Sequence, residues 1–140
     1  MGGPLHPATS AAVAAPPQHE TEEAVNARNT IFANCSQILS KTARQEYELA
    51  KNLGDPAQRD REYSAIAVTA ICEKEGDLAN EILSKMQSAE WKDHATRRIA
   101  EHYISRGDMT AAQQWIDRLS LAADRDWWRK KALERARKGA

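Results

Sequence analysis

Three glycine–aspartate pairs interrupt an otherwise helical pattern, at Gly54-Asp55, Gly76-Asp77 and Gly107-Asp108. Glycine just past a helix tolerates the left-handed turn that ends it, and aspartate then accepts hydrogen bonds from the free N–H groups of the next helix. The stretch between the last two pairs is long enough for one helix–turn–helix unit, and apolar residues recur through it at steps of three and four. Recurrent units of this kind predict an all-α fold of antiparallel helix pairs stacked as a short solenoid. The usual work of such a fold is to hold another molecule.

The opening stretch, 1–20, holds four of the five prolines and almost no large apolar side chain. Such a stretch cannot bury enough surface to offset its ordering entropy, so residues 1–20 are expected to form a disordered tail. The remainder, 21–140, is expected to form a single helical-repeat domain. Ala11–Ala15 is too short for a signal-peptide core, and His6 stands where a myristoylation motif needs Ser or Thr. Val25, Arg28, Phe32, Cys35 and Leu39 lay one stripe along a first helix. Thr42 and Gln45 fit a capping box, which places a break near Ser40–Lys41; one continuous helix over 21–53 is the alternative. Further helices are expected over about 56–75, 77–86, 91–106, 108–119 and 124–138, each with the periodicity of an α-helix. In the last, Trp128, Ala132, Leu133 and Ala136 mark the face expected to be buried.

Lys+Arg and Asp+Glu balance at 20 each, so no overall field draws the chain to nucleic acid or an anionic membrane. From Asp124 onward, however, seven basic residues face three acids. No apolar run is long enough for a transmembrane helix. The two cysteines, Cys35 and Cys72, are expected to be buried free thiols in a reducing, cytoplasmic compartment, with non-classical secretion left open. No Cys/His spacing has the form of a zinc motif. His94 and His102 lie on one helix, about 12 Å apart along its axis, too far to chelate one metal together. No Gly-rich phosphate loop and no nucleophile–base pairing is legible, so neither an enzyme nor a cofactor is expected.

One unit resembles a known repeat. Ile99-Ala100, two residues, Tyr103, then Gly107-Asp108, then Ala112, three residues, Ile116 is similar to the tetratricopeptide pattern of Leu-Gly, Tyr, Ala and Phe. The resemblance centres on residues 91–122, with weaker echoes over about 42–138. The last helix stands where such a repeat array carries a capping helix. The resemblance implies a groove lined by the first helix of each unit, and with it a protein-binding, adaptor or chaperone-like module.

Tyr63, His94, Arg97, Arg98, Glu101, Trp127, Lys130 and Lys131 are then the candidate partner-binding residues. Arg97-Arg98 and Lys130-Lys131 fall at equivalent places in successive units and would stack as a ladder of positive charge toward an acidic peptide. The competing expectation is that these are locally paired surface charges, such as Asp93 with Arg97. Adjacent Trp127 and Trp128 cannot share one helix face, which directs Trp127 toward the groove or an edge. Two other readings stay open. One is a nucleic-acid-associated protein using the basic last helix; the other is a structural protein that self-associates through its solenoid ends.

Overall fold

In the computed structural model, the described residues are Cys35 and 42–139. They form six α-helices and, among the described residues, no strand: α1 (Ala43–Ala50), α2 (Pro56–Cys72), α3 (Gly76–Ser84), α4 (Ala89–Ser105), α5 (Met109–Ile116) and α6 (Ala122–Gly139). The expected tail and the stripe of the first helix, Cys35 apart, lie outside the described residues.

Short and long helices alternate at a constant interval. The short helices begin at Ala43, Gly76 and Met109 and the long ones at Pro56, Ala89 and Ala122, so every step in both series is equal. The long helices form a spine in which α2 packs on α4 and α4 on α6. Each short helix packs against a long one as an antiparallel pair, α1 on α2, α3 on α2, α5 on both α4 and α6. Ile66, Ala67, Ile71, Leu78, Ile82, Ile99, Ala100, Ile116 and Leu119 are buried together in the shared core. Small Ala67, Ala79, Ala100 and Ala112 have no exposed surface, which lets the helices approach closely. Leu133 and Ala136, expected inside, are instead exposed.

The turn chemistry differs from the expected punctuation. The left-handed residue after α4 is Gly107, with φ of 77°, but its counterpart after α2 is Lys74, with φ of 62°. These two positions are one helix-pair interval apart and make the same bonds. Lys74 N–H donates to Ile71 O and Gly107 N–H to Ile104 O; Glu75 N–H donates to Ala70 O and Asp108 N–H to Tyr103 O. Gly76 therefore starts α3 rather than ending α2, and the spacing from Gly76 to Gly107 falls short of the structural period. Asp55, Ser88 and Asp108 cap α2, α4 and α5, accepting from the N–H of Ala57, Trp91 and Ala111.

α1 starts after Thr42, which makes no side-chain cap, so the Thr42–Gln45 capping box is not formed, and the expected break at Ser40–Lys41 lies outside the described residues. Thr42 N–H and Oγ1 both donate to the Glu73 carboxylate, at 2.8 and 3.2 Å, and Ala43 N–H joins them at 3.2 Å. Glu73, at the end of α2, thus supplies the negative charge that the α1 N-terminus favours.

Buried carboxylates fix the loops. Asp60 Oδ2 accepts from the backbone N–H of Gln87 and Ser88, at 3.0 and 2.7 Å, holding the approach to α4. One period on, Asp93 accepts from Ser120 N–H at 3.2 Å and from the Ser120 hydroxyl, holding the approach to α6. The third member of this register, Asp126, has an 81% exposed side chain.

Candidate functional site

The residues of the expected charge ladder differ in burial. Arg97 is buried, with its side chain 3% exposed, and its Nη1 donates to Asp124 Oδ2 at 3.1 Å; the Asp124 side chain is 1% exposed. Both expectations for Arg97 are thereby corrected, since it does not line an open groove and its ion pair is with Asp124 rather than Asp93. The reason is that Arg97 lies where α4 meets α6. Lys130, one period later, is exposed, so the two cations do not form a common surface. Glu101 is also buried, while His94 and Arg98 are half-buried.

At the basic end, Trp127 is partly buried and edge-on to Trp128, with ring centroids 4.7 Å apart. Lys131 Nζ sits 5.0 Å from the Trp127 ring, and Arg129 Nη2 pairs with Asp117 at 2.9 Å. These contacts use much of the charge and aromatic surface that the sequence assigned to a ligand. Tyr63 packs edge-on against Tyr47 at 5.4 Å. Though buried, it borders a cleft of about 500 Å³ together with Lys51, Arg59, Glu81 and Lys85. The pKa of the Tyr47 hydroxyl is pushed up to about 12, first by burial and then by the charge and hydrogen bond of Glu81. Among the described residues, the cleft at Tyr63 and two further cavities include only Tyr63 of the eight candidates.

Two other places have the geometry of sites. The first is a cleft of about 520 Å³ at the α1–α2 end of the stack. Leu49, Ala50, Leu53, Ala65 and Ile66 supply its apolar surface, and Glu46, Gln58, Arg61, Glu62 and Thr69 its polar surface. Leu49 is 73% exposed, whereas its counterparts one and two periods on, Ile82 and Trp115, are 0% and 7% exposed. The difference is positional: among the described residues no long helix precedes α2. Sequence reasoning missed Leu49, because its apolar character gave no sign that the stack leaves it open.

The second is a cluster of Cys35, Cys72 and His102. Cys72 ends α2 and His102 lies in the last turn of α4, while Cys35 arrives from the N-terminal side. Cys35 and Cys72 form a disulfide, with Cα atoms 5.3 Å apart, which corrects the expectation of two free thiols. Their wide separation in sequence carries no spacing signal for this pairing. His102 Nδ1 is 3.9 Å from Cys35 Sγ, and one ligand atom from each of the three residues lies within 4.8 Å of the others. A cavity of about 330 Å³ borders Cys72 and His102, with Ile71, Lys74, Gly76, Tyr103 and Arg106 completing its wall.

The pKa of His102 is pushed down to about 4, mainly because burial disfavours the imidazolium and secondly because Arg106 repels it. That of the neighbouring Tyr103 hydroxyl is raised, first by burial and then by the charge of Asp108. Tyr103, the tyrosine of the tetratricopeptide-like pattern, is half-buried. Once reduced to thiolates, the two sulfurs and a neutral imidazole nitrogen would be a donor set suited to a borderline-soft divalent cation. These are the described residues best placed to hold a metal, and no short motif in the sequence announced them.

Comparison with protein-family models, curated proteins and solved structures finds no match for this chain.

Proposed function

We propose that the chain is a non-enzymatic protein-interaction module that receives an amphipathic helix in the α1–α2 end cleft. The observation that carries this reading is the exposure of Leu49 where both its repeat counterparts are buried. A helix with an apolar stripe would lie along α2 as α4 lies along its other side, the helix-in-groove mode of recognition. Glu46 and Glu62 at the cleft, set against the single Arg61, favour a basic flank on that helix. This replaces the acidic peptide expected when Arg97 was placed in the groove. The inner charges support binding over catalysis, since Asp60, Asp93 and Arg97 are committed to loop and helix ties. A tetratricopeptide-like ancestry remains part of the proposal, supported by the constant interval at which short and long helices alternate.

Among the described residues no helix is long and apolar enough to cross a membrane. The proposed place of action is the cytoplasm, where a disulfide is usually transient rather than permanent.

The test is a photo-crosslinking side chain at Leu49 in the full chain, with a second probe at Lys130 as reference. The expected product at position 49 is a helical segment of another protein, captured there and not at 130, and lost from a pull-down by Leu49→Asp but not by Lys130→Glu. Crosslinks from position 49 only to residues 1–41 or to a second copy would overturn the partner reading. They would make the cleft an internal or self-assembly contact.

A further inference from the structure

We propose that Cys35, Cys72 and His102 form a redox-gated metal site, which binds a zinc-class divalent cation once the disulfide is reduced. The argument begins with what each state needs. A disulfide that only staples Cys35 to the end of α2 needs no imidazole beside it. A disulfide sulfur is also a weak hydrogen-bond acceptor, so the approach of His102 stabilises the oxidised pair little. In the reduced state the same approach becomes a ligand position.

The distances fit this reading. Zinc–sulfur bonds of about 2.3 Å and zinc–nitrogen bonds of about 2.0–2.1 Å in a tetrahedron place S and N about 3.6 Å apart and two sulfurs about 3.8 Å apart. The Cys35 Sγ–His102 Nδ1 separation of 3.9 Å is already near that value. The two sulfurs must separate, which breaking their bond allows, and Cys72 Sγ and His102 start within 4.8 Å of each other. The cavity beside Cys72 and His102 has room for a water or a substrate-like donor as fourth ligand. Three protein ligands with one open position is the usual form of a reactive rather than a purely structural zinc site.

The chemistry balances with a dithiol reductant. Its two thiols transfer two electrons and two protons to the Cys35–Cys72 bond, becoming a disulfide and leaving two cysteine thiols. The cation then displaces both thiol protons as the thiolates and His102 Nδ1 coordinate. Oxidation by a disulfide-class oxidant runs the sequence backward and releases the metal. The site would therefore exchange a covalent link between the N-terminal side and α2 for a metal link that also includes α4. It is independent of the end cleft, and each can fail without the other.

The experiment uses the full chain, metal-free, in its oxidised form and after reduction by a phosphine that does not itself supply thiols. Cobalt(II) is the probe, because thiolate-to-cobalt charge transfer counts sulfur ligands and the intensity of the d–d bands reports tetrahedral geometry. Reduced wild type is expected to take up one cobalt with both signals, and zinc should displace it. Oxidised wild type should show neither signal. At saturation Cys72→Ser should halve the charge-transfer intensity. His102→Gln should keep that intensity while shifting the d–d bands and weakening affinity by about tenfold or more.

Circular dichroism on each sample separates loss of ligand from loss of fold. Were His102→Gln to lose helix, Cys35→Ser provides the second test. The proposal is overturned if reduced wild type gives no tetrahedral cobalt spectrum. It is equally overturned if the oxidised chain binds as well as the reduced one, or if a folded His102→Gln is indistinguishable from wild type.

Discussion

Replacing Gly107 by alanine and Lys74 by glycine should shift stability in opposite directions, because the two residues occupy one structural position in successive units. Both have positive φ, 77° and 62°, and both close the same pair of turn hydrogen bonds. A left-handed backbone costs a non-glycine residue about 1–2 kcal/mol, while glycine gives up roughly 0.5–1 kcal/mol of extra chain entropy on folding. Gly107→Ala should therefore destabilise by about 0.5–1 kcal/mol and Lys74→Gly should stabilise by a similar amount. An added methyl at 107 meets only the end of the flexible Arg135 side chain, at 3.4 Å, so the backbone and not crowding sets the sign. Gly76→Ala is the discriminating control. Gly76 begins a helix and has nothing within 4 Å of the added carbon, so alanine there should be neutral or stabilising. Thermal melts by circular dichroism suffice, at roughly 4 °C per kcal/mol for a chain of this size. If Gly76→Ala lowered Tm as Gly107→Ala does while Lys74→Gly did not raise it, the glycines would be the equivalent positions. The repeat register argued from the turns would then be wrong.

Asp124→Asn removes the charge that Arg97 is buried against, and it should cost about 3–5 kcal/mol in urea denaturation. Arg97→Met with Asp124→Leu should recover most of that loss, and full additivity of the single changes would refute a direct pair. Acid should also destabilise the oxidised chain through His102. Its pKa lies at about 4 in the fold against 6.5 for the free side chain. The unfolded chain thus takes up a proton first, and the stability held above pH 6.5 is lost as pH falls toward about 4. The shift bounds the effect at about 3 kcal/mol, and His102→Gln should flatten this part of the profile. An unchanged slope in that variant would show that other groups carry the acid response.

Periodicity made the helices legible, and local turn chemistry made several of their boundaries legible. Asp55-Pro56 and Asp108 marked helix starts because capping depends on neighbours in sequence. The same logic misled at Gly76, since a left-handed turn can be taken by Lys74 when the surrounding bonds hold it there. Long-range burial was the greater obstacle. Arg97 and Lys130 look alike in sequence, yet one lies between α4 and α6 and the other on an exposed face of α6. Nothing local distinguishes them. The Cys35–Cys72–His102 cluster was hidden for a related reason, because its three members come from three different parts of the chain and share no motif.

The buried polar ties also explain why the repeat is clear in space and faint in sequence. Asp60 and Asp93 perform the same task one period apart, each holding a loop. The Arg97–Asp124 pair behaves differently. One period earlier the corresponding residues are Ser64 and Trp91, both buried, and one period after Arg97 stands exposed Lys130. A guanidinium buried against a carboxylate between α4 and α6 would meet a different group there in any other stacking. Such a mismatch leaves a charge uncompensated, which is costly in a core. Apolar positions such as Ile66 and Ile99 could tolerate a slip of one unit, but Arg97 could not. The pair therefore favours α6 as the neighbour of α4, and this departure from repeat symmetry adds specificity to the stacking that chain connectivity already imposes.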